Sequence, residues 1–182
     1  MPRTALIVVD MLNAYEHADA EDLTRSVENV LPTIAELVER AQDEAALTIY
    51  VNDNFGSWTS NRDQLVEEVM ASRYRHLVEP IAPRDDTLFV VKARHSIFFQ
   101  TPLEYLLGEE DVDRVVLAGQ VTEQCILYSA LDAYLRKLSV VVPRDAVAHI
   151  HADLADAALT MMEVNMRAQI SDAASALRLL TA

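Results

Sequence analysis

Short, continuous apolar runs rich in β-branched residues recur along the chain at 5–9, 47–51, 88–91, 115–118 and 140–142, with a weaker one at 168–171. Continuous rather than alternating apolar character predicts strands covered on both faces, as in a parallel sheet. Longer amphipathic stretches lie between them. Val27, Val30, Leu31, Ile34, Leu37, Val38 and Ala41 recur at helical spacing and form one apolar stripe, with Pro32 leaving the helix start open. Leu65, Val66 and Val69 mark a shorter helix, and Leu154, Ala157, Ala158, Met161 and Met162 another, the two methionines read as core filler. Residues 123–138 are apolar on most sides, which predicts a largely buried helix. The acidic run 108–113 reads as a solvated loop. Strand–helix alternation throughout implies right-handed βαβ units and an α/β fold with helices on both faces of the sheet. Without a Pro/Gly/Ser-rich linker or an internal repeat, residues 1–182 are read as one domain.

Composition narrows the class of protein. A chain of 182 residues, 51% hydrophobic and 24% charged, has the balance of a globular domain and not of a disordered segment. No apolar run approaches the ~20 residues of a bilayer span, and the first is too short for a signal peptide. The expected address is therefore cytoplasmic, with no membrane partner. A single cysteine excludes an internal disulfide framework and a multi-thiolate zinc site. Fifteen Lys and Arg against 29 Asp and Glu give a formal charge of −14, which repels nucleic acid. The three glycines, Gly56, Gly108 and Gly119, cannot write a dinucleotide or P-loop fingerprint, and no cofactor is expected.

In open α/β sheets ligands bind beyond the carboxyl ends of the strands. Asp10 closes the first predicted strand and Lys92 the third, while Cys125 follows the fourth at the start of a helix. Taken singly, an Asp is often a cap, a Lys a solvated charge and a Cys an inert core residue. Together on one rim they point to chemistry. A helix N-terminus and a nearby cation favour the thiolate, and an adjacent carboxylate can take the thiol proton and return it to a leaving group. Such a set suits acyl transfer through a thioester. None of the three positions holds a histidine, which argues against a papain-type Cys–His pair.

The stretches Ala-Leu-Ile-Val-Val-Asp-Met-Leu-Asn-Ala-Tyr (5–15), Tyr-Val-Asn-Asp-Asn-Phe-Gly (50–56), Lys-Ala-Arg-His-Ser-Ile-Phe (92–98) with Thr101-Pro-Leu, and Gly-Gln-Val-Thr-Glu-Gln-Cys (119–125) carry a resemblance. The chain resembles the isochorismatase-like cysteine hydrolases over nearly its whole length. That resemblance implies a three-layer, six-stranded, mostly parallel sheet and an Asp–Lys–Cys triad. In it Asp10 is general base and acid, Cys125 the nucleophile and Lys92 the charge that holds both. It also implies a non-proline cis bond at Val121–Thr122, with the Thr122 and Cys125 N–H groups aimed at an oxyanion. Homo-oligomers, dimers or tetramers, are usual in the family.

Departures from the family pattern narrow the substrate. Nicotinamidases of the family bind a metal through Asp-x-His after the second strand; here 52–58 reads Asn-Asp-Asn-Phe-Gly-Ser-Trp, so no metal is expected. His149 and His151 have chelate spacing but sit in a polar loop. True isochorismatases resemble the Lys92-x-Arg94-x-Ser96-x-Phe98 pattern but lack the nucleophilic cysteine. Keeping Cys125 favours cleavage of a C–N bond in a small amide, ureido or N-carbamoyl compound. The alternatives are vinyl-ether hydrolysis with Asp10 as acid and a non-catalytic flavodoxin-like binding module. Arg94 is read either as the anchor of a substrate carboxylate or as half of a structural ion pair. Phe55, Trp58, His95 and Phe98 are expected to wall a small pocket, with Trp58 otherwise at a subunit interface.

Overall fold

The computed structural model describes residues 3–181. In chain order the elements are β1 (Arg3–Val9), α1 (Ala20–Asp43), β2 (Leu47–Asp53), α2 (Arg62–Ala71), β3 (Leu88–Lys92), α3 (Leu103–Glu109), β4 (Val112–Gln120), α4 (Leu127–Leu135), β5 (Ser139–Pro143), β6 (Val147–Ala148), α5 (Ala152–Met166), β7 (Gln169–Ser171) and α6 (Ala173–Leu180). All strand pairs are parallel, in the spatial order β3-β2-β1-β4-β5-β7. The expectation of six strands holds along this path. A seventh, the two-residue β6, pairs with the end of β4 through Gly119 and Gln120.

Continuous apolar strands arise because both faces of the sheet are covered. Ala5, Ile7 and Val9 of β1 pack with Leu103 and Leu107 of α3, Ala130 and Ala133 of α4, and Ala158 and Met162 of α5. Leu6 and Val8 turn the other way, onto Val27, Ile34 and Leu37 of α1 and Ala176 and Leu180 of α6. Pro32 lies inside α1 instead of interrupting it. Its ring is exposed, so the missing hydrogen bond, at a cost of ~3 kcal/mol, falls on the solvent side. Burial of Val27, Ile34 and Leu37, at roughly 1.5–3 kcal/mol each, offsets that loss.

Three local expectations are corrected. The stretch 123–138 is not largely buried: it opens as a π-helical turn (Thr122–Ile126) and continues as α4. Ser129, Ala130 and Ala133 let α4 approach the sheet closely, while Tyr128, Leu131, Tyr134 and Leu135 stay exposed. Met162 is core, but Met161 on the far side of α5 is exposed. The acidic run is not a loop throughout. Gly108 and Glu109 finish α3, and β4 already starts at Val112, because Val112 and Arg114 pair with Arg3 and Thr4 of β1.

The sheet's topology prepares a site. The chain moves outward from β1 through β2 to β3 and then returns to β4 on the other side of β1, which makes the β1/β4 boundary the switch point. Val9 is in register with both Val51 and Gly119, and Asp53 with Lys92, so the strand ends form one rim. Gly119 is required there. At its φ of +118° a Cβ would stand 2.2 Å from the Val9 carbonyl oxygen. No helix among the described residues is long and apolar enough to cross a membrane.

Candidate active site at the switch point

Asp10 leaves β1 with φ 55°, its N–H donating to the Val51 carbonyl at 3.0 Å. Neighbours hold the carboxylate and its peptide on several sides. The Asp53 N–H donates to Asp10 Oδ1 at 2.7 Å, and Gln120 Nε2 donates to the Asp10 carbonyl at 2.6 Å. Asn52 Oδ1 accepts from the Leu12 N–H, and Asn52 Nδ2 donates to the Leu12 carbonyl, pinning the loop that follows. Lys92 comes from the end of β3, and its fully buried Nζ stands 2.9 Å from Asp10 Oδ2, 3.2 Å from Asp53 Oδ2 and 3.6 Å from Cys125 Sγ.

Cys125 sits in the π-helical turn after β4. Thr122 Oγ1 donates to the Ala148 carbonyl at 2.8 Å, and Glu123 Oε1 accepts from the N–H groups of Ile150 and His151. These bonds fasten the turn to β6 and the start of α5. The cis peptide lies at Gln120–Val121, one residue earlier than expected, where β4 ends and the chain must leave the sheet. Val121 and Thr122 are both buried beside the thiol's turn.

Electrostatics in this cluster differ from the thiolate expected from sequence. Burial pushes the Cys125 thiol up and the Asp10 charge adds to this, so the cation at Lys92 does not bring it down. Burial also raises Asp10, against the pull of Lys92. For Lys92, burial alone acts downward, but Asp10, Cys125 and Asp53 together outweigh it and hold the ammonium above the ordinary lysine range. One firm positive charge thus faces two carboxylates and a thiol.

A cavity of about 590 Å³ opens over this rim. Phe55, Trp58, Arg94, His95 and Phe99 line it, and it reaches Asp53 and Lys92. Phe98 does not belong to the wall. It is buried in the core beneath the Arg136 guanidinium, because the Phe98 N–H is tied to Ser96 Oγ and Ser96 Oγ donates to Asp132 of α4. The next residue, Phe99, faces the cavity in its place. Arg94 is exposed on the wall and makes no ion pair among the described residues. Trp58 is 86% exposed, more rim than wall.

Reasoning from sequence left Asp53 and Gln120 out of the site. The rule that finds Asp10 and Lys92 applies equally to Asp53, the last residue of β2. Asp53 is engaged by Lys92, and Phe55 supplies no donor atom two residues on. Among the described residues no group of three or more His, Cys, Asp or Glu is disposed to hold a metal ion. His149 is bound to Ser26, and His151 precedes α5.

Residues 4–175 match the sequence model of the isochorismatase domain. The chain is 35% identical over 167 residues to the uncharacterized isochorismatase family protein YaaI of Bacillus subtilis, covering 92% of each. It is 28% identical to a maleamate amidohydrolase of Pseudomonas putida, over 83% of this chain and 75% of that one. In three dimensions it is similar to a cysteine hydrolase from Pseudomonas syringae, with a TM-score of 0.78 at 23% identity, covering 98% of this chain and 92% of that one. Matched over nearly its whole length, and with the family's sheet, the chain belongs to the isochorismatase family and is a hydrolase.

Proposed function

We propose that the protein cleaves the C–N bond of a small amide, ureido or N-carbamoyl compound through a thioester on Cys125. The observation that carries this reading is the position of Lys92 Nζ, bridging Asp10 Oδ2 at 2.9 Å and Cys125 Sγ at 3.6 Å. Asp10 takes the thiol proton as Sγ bonds to the carbonyl carbon. It then returns that proton to nitrogen as the C–N bond breaks. Lys92 keeps negative charge tolerable on either Asp10 or Sγ while the proton moves. The Thr122 and Cys125 N–H groups at the π-helical turn are assigned to the developing oxyanion.

The relatives favour the same bond. Besides the maleamate amidohydrolase they include an N-carbamoylsarcosine amidase and a ureidoacrylate amidohydrolase. Each of those names denotes a carboxylate-bearing compound, and the unpaired Arg94 offers such a group a forked donor. Phe55 and Phe99 cover the apolar part, and Trp58 closes the rim. We extend the reading to a homo-oligomer, a dimer or tetramer built on the exposed apolar face of α4.

Ammonia release from maleamate, N-carbamoylsarcosine and ureidoacrylate tests the activity. Cys125→Ala and Asp10→Asn are each expected to lower turnover by ~10³-fold or more. Arg94→Met is expected to raise KM for the carboxylates by ~10-fold or more while sparing a neutral amide. Ammonia release that survives Cys125→Ala sinks the thioester. Pyruvate released from isochorismate by that same variant would establish ether hydrolysis on Asp10 instead.

A further inference from the structure

Buried and exposed groups both reach the thiol. Asp10 and Lys92 are almost inaccessible, whereas His95 is exposed, lines the cavity, and places Nδ1 at 3.8 Å from Cys125 Sγ. This histidine reaches the sulfur from another strand's loop, a placement its position three residues after Lys92 does not reveal. Nor is the ring loosely held. Its loop is stapled to α4 by the Ile97 N–H donating to Ser129 Oγ and by Ser96 Oγ donating to Asp132. The ring itself packs on Tyr128, with centroids 5.4 Å apart. Since α4 continues directly from the turn that carries Cys125, the loop of the imidazole is tied to the helix that the thiol's turn begins.

We infer that His95 is a second catalytic residue, the base that activates the water which hydrolyses the acyl-enzyme; this rests on the thioester proposed above. Once the amine has left, His95 offers a proton acceptor 3.8 Å from Sγ that is also exposed to the cavity, from which water can enter. In the neutral tautomer with hydrogen on Nε2, Nδ1 accepts a proton. It takes one from water as the oxygen bonds to the acyl carbon. The C–S bond then breaks, and the proton passes from Nδ1 to the departing sulfur, restoring the thiol and a neutral ring. Asp10 is left with the first half-reaction, for which its buried place beside the thiol suits it. Division of labour between two bases follows from one being buried and the other open to the cavity.

p-Nitrophenyl acetate separates the halves without knowledge of the natural substrate. Release of p-nitrophenol reports acylation, and intact mass with peptide mapping follows loss of the acetyl group from Cys125. His95→Ala and His95→Gln are expected to lose the acetyl group ~100-fold more slowly than the wild type, a loss at least ~10-fold greater than any effect on acylation. Free imidazole is expected to restore deacylation in His95→Ala, since the ring's place opens to the cavity, and not in His95→Gln, where the side chain fills it. Equal deacylation rates in wild type and both variants would overturn the inference, as would acylation that falls in parallel with deacylation. A wild type that carries no acetyl group on Cys125 at any time, and releases no more p-nitrophenol than Cys125→Ala, would remove the thioester itself and this inference with it. Acetylation that maps to Cys125 but decays independently of His95 would overturn only the second base.

Discussion

Lys92 has one positive charge to share among three acidic partners. Asp53 is the one that sequence reasoning left out, and its effect has a definite sign. It raises Cys125, Asp10 and Lys92 alike, because a fixed carboxylate disfavours each new anion and favours the cation. Asp53→Asn keeps an oxygen for the Phe55 N–H but removes the charge. The thiol should then ionise at lower pH. In an iodoacetamide titration the alkylation profile of Asp53→Asn is expected to shift downward, and the rate near pH 8 to rise ~3- to 10-fold. Wild-type Cys125 should react slowly at neutral pH, matching a thiol pushed above its usual range by burial. Fast neutral alkylation of the wild type would contradict the upward push of burial on the thiol, and an unmoved profile in Asp53→Asn the role of its charge. Asp10, Lys92 and Cys125 were legible because strand ends and chemistry coincide. The upward push on the thiol was not, since burial is set by packing that composition does not report.

At the level of elements, the strand pattern was legible because burial on two faces leaves an unbroken apolar run. The helices were legible only in part. Residues 123–138 are apolar on most sides, yet the small residues Ser129, Ala130 and Ala133 select the inner face and turn the bulky ones outward. Volume, not hydrophobicity, decides which side of α4 meets the sheet. A volume argument also singles out Gly119, where β4 passes Val9. Gly119→Ala combines a backbone conformation that disfavours a side chain with a Cβ at 2.2 Å from a carbonyl oxygen. The expected cost is ~2–4 kcal/mol, read as a lower urea midpoint. Val9 leads into Asp10, and Gly119 into the Cys125 turn. Strain at this one contact therefore acts on both ends of the proton transfer, and turnover should fall further than stability alone explains. Gly108, with nothing within 4 Å of its Cβ direction, is the control: Gly108→Ala is expected to leave both readouts within ~3-fold or ~1 kcal/mol of the wild type.

For the molecule as a whole, the distribution of charge matters more than its total. A formal charge of −14 opposes self-association, but the exposed face of α4 carries Tyr128, Leu131, Tyr134 and Leu135 and no exposed acid between them, since Asp132 is held by Ser96 and Arg136. Leu154, Met161 and Val164 are likewise exposed on α5, which packs beside α4. A second copy of this chain suits such a face: an apolar contact without paired charges leaves long-range repulsion as the opposing force. Salt should then strengthen the assembly, because at 0.1 M the screening length is already about 10 Å and shortens further above that. Sedimentation at about 50 μM chain is expected to show a dimer or larger species that tightens between low and high salt, and Leu131→Glu with Leu135→Glu is expected to give monomers. The double variant touches neither Cys125 nor the cavity wall, so its thiol alkylation should match the wild type. If the wild type sediments as a monomer at both salt concentrations, the apolar face does not serve self-association. Assembly that weakens with salt would place charged contacts, not α4, at the interface.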